Sequence, residues 1–97
     1  NYICRLYKNL RVIGMHKYQL IEFNSDRKQI QLVSNKSNLQ QVLAEFYKEN
    51  FEKMFDDSGC SKGYISVFVN SEQISSIKDI TLKPNDEVCI VTSISGG

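Results

Sequence analysis

Residues 37–55 read SNLQQVLAEFYKENFEKMF, and this stretch decides the fold class. Leu39, Val42, Leu43, Phe46, Phe51 and Met54 recur near helical spacing, which gives one apolar stripe. Ser37, followed three residues on by Gln40, is a capping box, so a helix is expected from about Ser37 to about Phe55. It should stop in DDSGC, where Gly59 can take the left-handed turn. Adjacent Asp56 and Asp57 at a helix end read as a solvated turn rather than a catalytic pair.

Outside this helix the apolar runs have strand period. Upstream, YICRLYKN (2–9) sets Tyr2, Cys4 and Leu6 against Ile3, Arg5 and Tyr7. KYQLIEF (17–23) reads as a second strand and NSDR (24–27) as turn chemistry. KQIQLVS (28–34) is a third extended piece, either the other arm of a hairpin or a continuation past a bulge. Downstream, YISVFVN (64–70) alternates again, with Ile65, Val67 and Val69 on one face. Residues 71–83 are broken and polar, anchored by Ile74, Ile77, Ile80 and Leu82, and fit a short edge strand plus a turn of helix. Pro84, Asn85 and Asp86 make a tight turn before the last strand, EVCIVTS (87–93). One helix among five or six short strands cannot cover both faces of a sheet, so the class is α+β. Cys4, Leu6, Leu43, Phe46, Val67, Val69, Val88 and Ile90 are the expected core between helix and sheet. The opposite face is left to meet something else.

The bulk numbers bound the function. Ninety-seven residues make one domain, 1–97, large enough for a single core. The 41% hydrophobic and 24% charged fractions are ordinary for a globular chain. A net charge of +1 argues against nucleic acid or an anionic membrane as partner. No apolar run approaches a membrane span. The first residues are too short and too polar for a signal peptide, and the absence of an initiator methionine leaves room for residues upstream of Asn1. Cys4, Cys60 and Cys89 show no ligand spacing, so no metal site is expected. Their reduced form points to the cytoplasm. There is no phosphate-binding glycine loop. The only histidine, His16, is expected in a loop with no nucleophile tied to it. The chain has almost nothing with which to build an active site of its own.

What remains is the ending, SISGG. Glycine is about 7% of average composition, so two in the last two places is a coincidence well below one in a hundred. A frayed terminus is one reading. The other is a tail, 94–97, that is flexible and has a use. Gly96 and Gly97 carry no Cβ and can extend through a channel that other residues would block. The terminal carboxylate is unhindered. Once adenylated with ATP by a partner enzyme, it is reactive toward sulfur or amine nucleophiles.

LKPNDEVCIVTSISGG (82–97) resembles the C-terminal signature of the MoaD/ThiS sulfur carriers, members of the ubiquitin-like β-grasp superfamily. VFVNSEQ (67–73) is similar to that family's Val-Asn-x-Glu turn, and LYKNLRVIG (6–14) to its first strand and following loop. The resemblance implies a β-grasp, with a mixed sheet of four to five strands on one main helix. The stretch 17–33 would then be an extra β-hairpin. Asn85 stands where the family usually has Gly, and Thr92–Ser93 replaces the Pro-Pro of molybdopterin carriers.

The resemblance also implies a role. The Gly97 carboxylate would be adenylated by a ubiquitin-activating-type enzyme using Mg-ATP and converted to a thiocarboxylate. The sulfur would pass to the large subunit of molybdopterin synthase or to another acceptor, in cofactor synthesis or on tRNA. The chain would be a substrate and handle rather than an enzyme, and would bind no cofactor itself. Relatives that join the same glycine to lysines of target proteins keep a protein modifier as the alternative, and the chain's own nine lysines leave chain formation open. A non-catalytic interaction module is the third reading. By strand alternation the partner-binding face should carry Phe68, Cys89 and Val91, joined by Arg5 and Tyr7 from the first strand and Ile94 from the tail. The loop around Leu10 and Arg11 is the alternative contact.

Overall fold

The computed structural model describes residues 14–93. The expected strand at 2–9, the core positions Cys4 and Leu6, and the tail 94–97 lie outside the described residues. Within them the order is β1 (His16–Phe23), β2 (Arg27–Ser34), α1 (Leu39–Tyr47), a 3-10 turn (Lys48–Asn50), α2 (Phe51–Met54), β3 (Ile65–Val69), β4 (Glu72–Ile74) and β5 (Glu87–Thr92). The strands form one five-stranded sheet in the order β2-β1-β5-β3-β4. β1 and β5 are parallel neighbours at its centre, and every other pair is antiparallel. This is a β-grasp.

The hairpin at 17–33 is therefore present, but it is no extension. β1 and β2 are the founding pair of the sheet, and β1 lies against the last strand. His16 opens β1 opposite Ser34 rather than sitting in a loop. The Asn24 carboxamide accepts from the Asp26 amide and closes the β1–β2 turn.

α1 starts one residue later than the capping box at Ser37 suggests. Asn38 is the N-cap, its side chain accepting from the Gln41 amide at 3.2 Å. The helix also breaks early, at Lys48, which takes φ 55°. The five-residue step from Phe46 to Phe51 carries the cause, because it is too long for one helical stripe. The 3-10 turn absorbs the offset, and α2 resumes with Phe51 and Met54 against the core.

The core lies between α1 and one face of the sheet. Leu39, Val42 and Leu43 pack with Tyr18, Leu20, Leu32, Val67, Val88 and Ile90. Val69 packs against this cluster from its edge. Ile77 and Leu82 are buried, and Ile74 and Ile80 lean on the core, as expected of anchors. The segment between them forms no helical turn; bridges from Ser76 to Cys60 and from Thr81 to Asn38 pin it instead. Phe46 is the clear exception among the expected core residues, at 37% exposed. Among the described residues β2 is the outermost strand on this side, so no described strand lies beyond it over this ring, which stands edge-on to Tyr47 at 4.8 Å.

Turn chemistry follows the sequence closely. Gly59 takes φ +78°, and an added Cβ would lie 2.8 Å from the Lys78 amide nitrogen. The Asp56 carboxylate accepts from the Ser58 and Cys60 amides, so the aspartate pair is indeed a turn. Asn70 and Ser71, both at positive φ, make the two-residue turn between β3 and β4. Asn85, at φ 72° after Pro84, completes a tight turn closed by Asp86 N–H to the Lys83 carbonyl.

Two tyrosines tie the helix side together. Tyr18, fully buried, donates to the Lys36 carbonyl at 2.7 Å, and Tyr47 donates to Glu22. Burial first, then the charge of Asp86, raises the Tyr18 pKa; burial first, then the bond to Glu22, raises that of Tyr47 well above the usual tyrosine range. A raised folded pKa contributes stability that is complete below the unfolded value and is lost as pH climbs through the folded one. Stability should therefore fall as pH rises above about 10, the ordinary tyrosine value. Tyr47→Phe should cost roughly 1 kcal/mol at neutral pH and flatten the alkaline decline. Urea unfolding of both proteins across that range measures it, and an unchanged slope would contradict the assignment.

Candidate functional site: the open sheet face and the exit of the last strand

Strand alternation gives the sheet a second apolar face. In β5, Val88 and Ile90 point to the core, which turns Cys89 and Val91 the other way. Phe68 is in register with Cys89, and Cys89 with Ile21, so one row runs Ile21–Cys89–Phe68 across three strands. The next row sets Phe23 beside Val91. The face expected to carry Phe68, Cys89 and Val91 thus does carry them together. Arg5, Tyr7, Leu10, Arg11, Ile94, Gly96 and Gly97 fall outside the described residues.

Ile21 and Phe23 are additions that the sequence reading missed. The alternation of KYQLIEF already turned them away from Tyr18 and Leu20. What was missing was the parallel pairing of β1 with β5, which puts them next to Cys89. Ile21 is only 5% exposed yet lies outside the main core. These residues, with Arg27, Ser71 and Glu87, line a shallow depression of about 420 Å³. The Arg27 guanidinium sits 5.9 Å from the Phe23 ring centre. Burial first, then Glu87, raises the Cys89 thiol pKa, and Arg27 opposes this in part. A neutral, half-buried thiol is a small hydrophobe, not a nucleophile.

β5 ends at Thr92, opposite Ile65, and the Ser93 amide donates to the Tyr64 carbonyl at 2.8 Å. This bond fixes where the chain leaves the sheet, at the Phe23–Val91 end of the apolar rows. On the helix side of the same end, Glu22, Tyr47, Lys53, Tyr64 and Thr92 border a second hollow of about 320 Å³. Among the described residues no cluster of His, Cys, Asp or Glu could hold a metal ion, and no helix is long and apolar enough to cross a membrane. The arrangement presents an apolar face beside the end of the strand that leads to the Gly-Gly terminus.

The sequence model of the ThiS family matches residues 18–97, from within β1 to the last glycine. The chain belongs to the ThiS family, and as such is a small ubiquitin-like sulfur carrier protein rather than an enzyme. Proteins of this family work with an adenylating enzyme and a sulfur acceptor. The solution structure of the HVO 2177 protein of Haloferax volcanii is similar in fold, with a TM-score of 0.65 over 87% of this chain and 89% of that one at 18% identity. None of the curated proteins matches the sequence.

Proposed function

We propose that the chain carries sulfur as a thiocarboxylate on Gly97. A carboxylate oxygen of Gly97 attacks the α-phosphorus of Mg-ATP on a ubiquitin-activating-type enzyme, and pyrophosphate leaves. Hydrosulfide then attacks the acyl carbon and displaces AMP, which leaves the thiocarboxylate. Gly96 and Gly97, without side chains, thread the terminus into the enzyme's site. The sulfur goes to a molybdopterin-type synthase or a related acceptor in cofactor or tRNA synthesis. On this reading the reaction is cytoplasmic, where reduced thiols and ATP coexist.

The observation that supports the reading best is the common end of the sheet shared by the apolar rows and the exit of β5. A partner seated on Phe68, Cys89 and Val91 is within reach of the terminus it must activate, with Ile94 extending the contact along the tail. Arg5 and Tyr7 belong to the proposed rim, and the loop around Leu10 and Arg11 to its periphery. Apolar centres with polar rims are the usual anatomy of such contacts.

Placing a charge on the face tests it. Phe68→Glu or Val91→Glu should each reduce adenylate formation at Gly97 by roughly thirtyfold or more, the loss of a central contact worth about 2 kcal/mol. Both side chains are only partly buried, so both variants should fold. Pyrophosphate release with the cognate activating enzyme gives the readout. Full activity in both folded variants would move the contact off this face.

A further inference from the structure

Tyr64 stands just before β3, and its side chain is 49% exposed. Both of its polar ends are engaged. The backbone carbonyl accepts from the Ser93 amide at 2.8 Å, at the end of β5. The phenol donates to the Lys53 carbonyl of α2 at 3.2 Å. The ring therefore crosses the helix side of the exit, from the end of β5 to α2, and borders the hollow there together with Thr92. The turn that carries it is pinned separately. The Lys62 amide donates to the Met54 carbonyl at 2.8 Å, and the Ile65 amide to the Lys62 carbonyl at 2.9 Å. Folding gains little from the ring itself, because half of it stays in water and its hydrogen bond is exposed.

We propose that Tyr64 is a positioning residue for the reaction at Gly97, a role that rests on the adenylation proposed above. Phe23 and Val91 lie on the open side of the exit, where the activating enzyme would sit, and the Tyr64 ring lies on the other. A chain leaving Ser93 meets this ring if it turns toward α2, so it is steered to the open face. Residues 94–97 span about 13 Å when extended, at about 3.3 Å each. Their direction at the root therefore decides on which side of the sheet the carboxylate arrives. Without the ring, the helix-side hollow can take the tail. Met54 and Ile65 offer Ile94 an apolar wall there, and exposed Lys53 offers the Gly97 carboxylate a cation. A chain held this way still docks through Phe68, Cys89 and Val91, but its terminus points away from the enzyme.

The test is single-turnover pyrophosphate release by the cognate activating enzyme over a range of chain concentrations. Tyr64→Ala should lower the maximal rate about fivefold or more. It should leave the half-saturating concentration unchanged, because the docking face is untouched. Phe68→Glu should instead raise the half-saturating concentration. Tyr64→Phe keeps the ring and should stay within about twofold of the intact chain. Adding Lys53→Glu to Tyr64→Ala should recover about half of the lost rate or more, since it removes the cation that holds the misdirected carboxylate. A loss of fold would not be reversed by that second change, and urea unfolding of each variant checks the point. Equal maximal rates for the intact chain and Tyr64→Ala would overturn the proposal. So would a raised half-saturating concentration at an unchanged maximal rate, which would make Tyr64 a contact residue instead. No pyrophosphate release from the intact chain is a separate failure, which would overturn the proposed function and this role with it.

Discussion

A chain lacking Gly97 is expected to escape adenylation, yet to unfold with a free energy within about 0.5 kcal/mol of the intact protein. The two halves of this result come from different parts of the molecule. Among the described residues, the packed cluster runs from Tyr18 to Ile90. The Ser93 amide already ties the end of β5 to Tyr64. A glycine adds no side chain to a core, so little stability is expected to depend on Gly97, whereas the proposed chemistry needs its carboxylate in one position. Shortening by one residue withdraws the reacting oxygen by the rise of one extended residue, about 3.3 Å. Misplacement by about 1 Å is already enough to cost a reaction a hundredfold. Pyrophosphate release and a urea melt on the same preparation check both halves. A large loss of stability would make the tail a structural element instead.

Leu43→Ala is expected to have the largest effect on folding, a loss of roughly 2–5 kcal/mol. Leu43 is fully buried at the centre of the helix–sheet contact. Its removal forfeits the transfer energy of the lost methyl groups and leaves a cavity that flanking strands cannot collapse to fill. A protein of this size has about 5–15 kcal/mol to lose, so the melting temperature should drop by roughly 10–30 °C. Phe46→Ala, one turn along the same helix, should cost about 1 kcal/mol or less, because that ring is already partly in water. Equal losses at the two positions would contradict the packing described here.

The contrast between these two residues shows what was legible in the sequence. Periodicity placed Leu39, Val42 and Leu43 correctly, since each is covered whatever lies beyond the sheet's edge. It put Phe46 in the core for the same reason, and failed because burial there depends on how far the sheet extends past β2. The helix break at Lys48 was visible only as the uneven step from Phe46 to Phe51. Turns were the most legible parts: Gly59, Asn70 and Asn85 all take positive φ, the conformation that glycine and asparagine tolerate. Topology was less so. Every strand of the described sheet can be read locally, but the pairing of β1 with β5 joins residues far apart in the chain, and no local pattern encodes it. That pairing makes the 17–33 hairpin part of the sheet proper. It also brings Ile21 and Phe23 to the face where Phe68, Cys89 and Val91 had been expected by alternation alone.

The central claim is that sulfur is carried on the terminal glycine, and the intact mass of the protein purified from its native cell tests it most directly. The account predicts a fraction of molecules heavier by the difference between one sulfur and one oxygen. Fragmentation should assign the gain to Gly97, and a thiol-alkylating reagent should mark that fraction there. A terminus found only as the free carboxylate, with Gly-Gly remnants of this chain on lysines of other proteins, would contradict it.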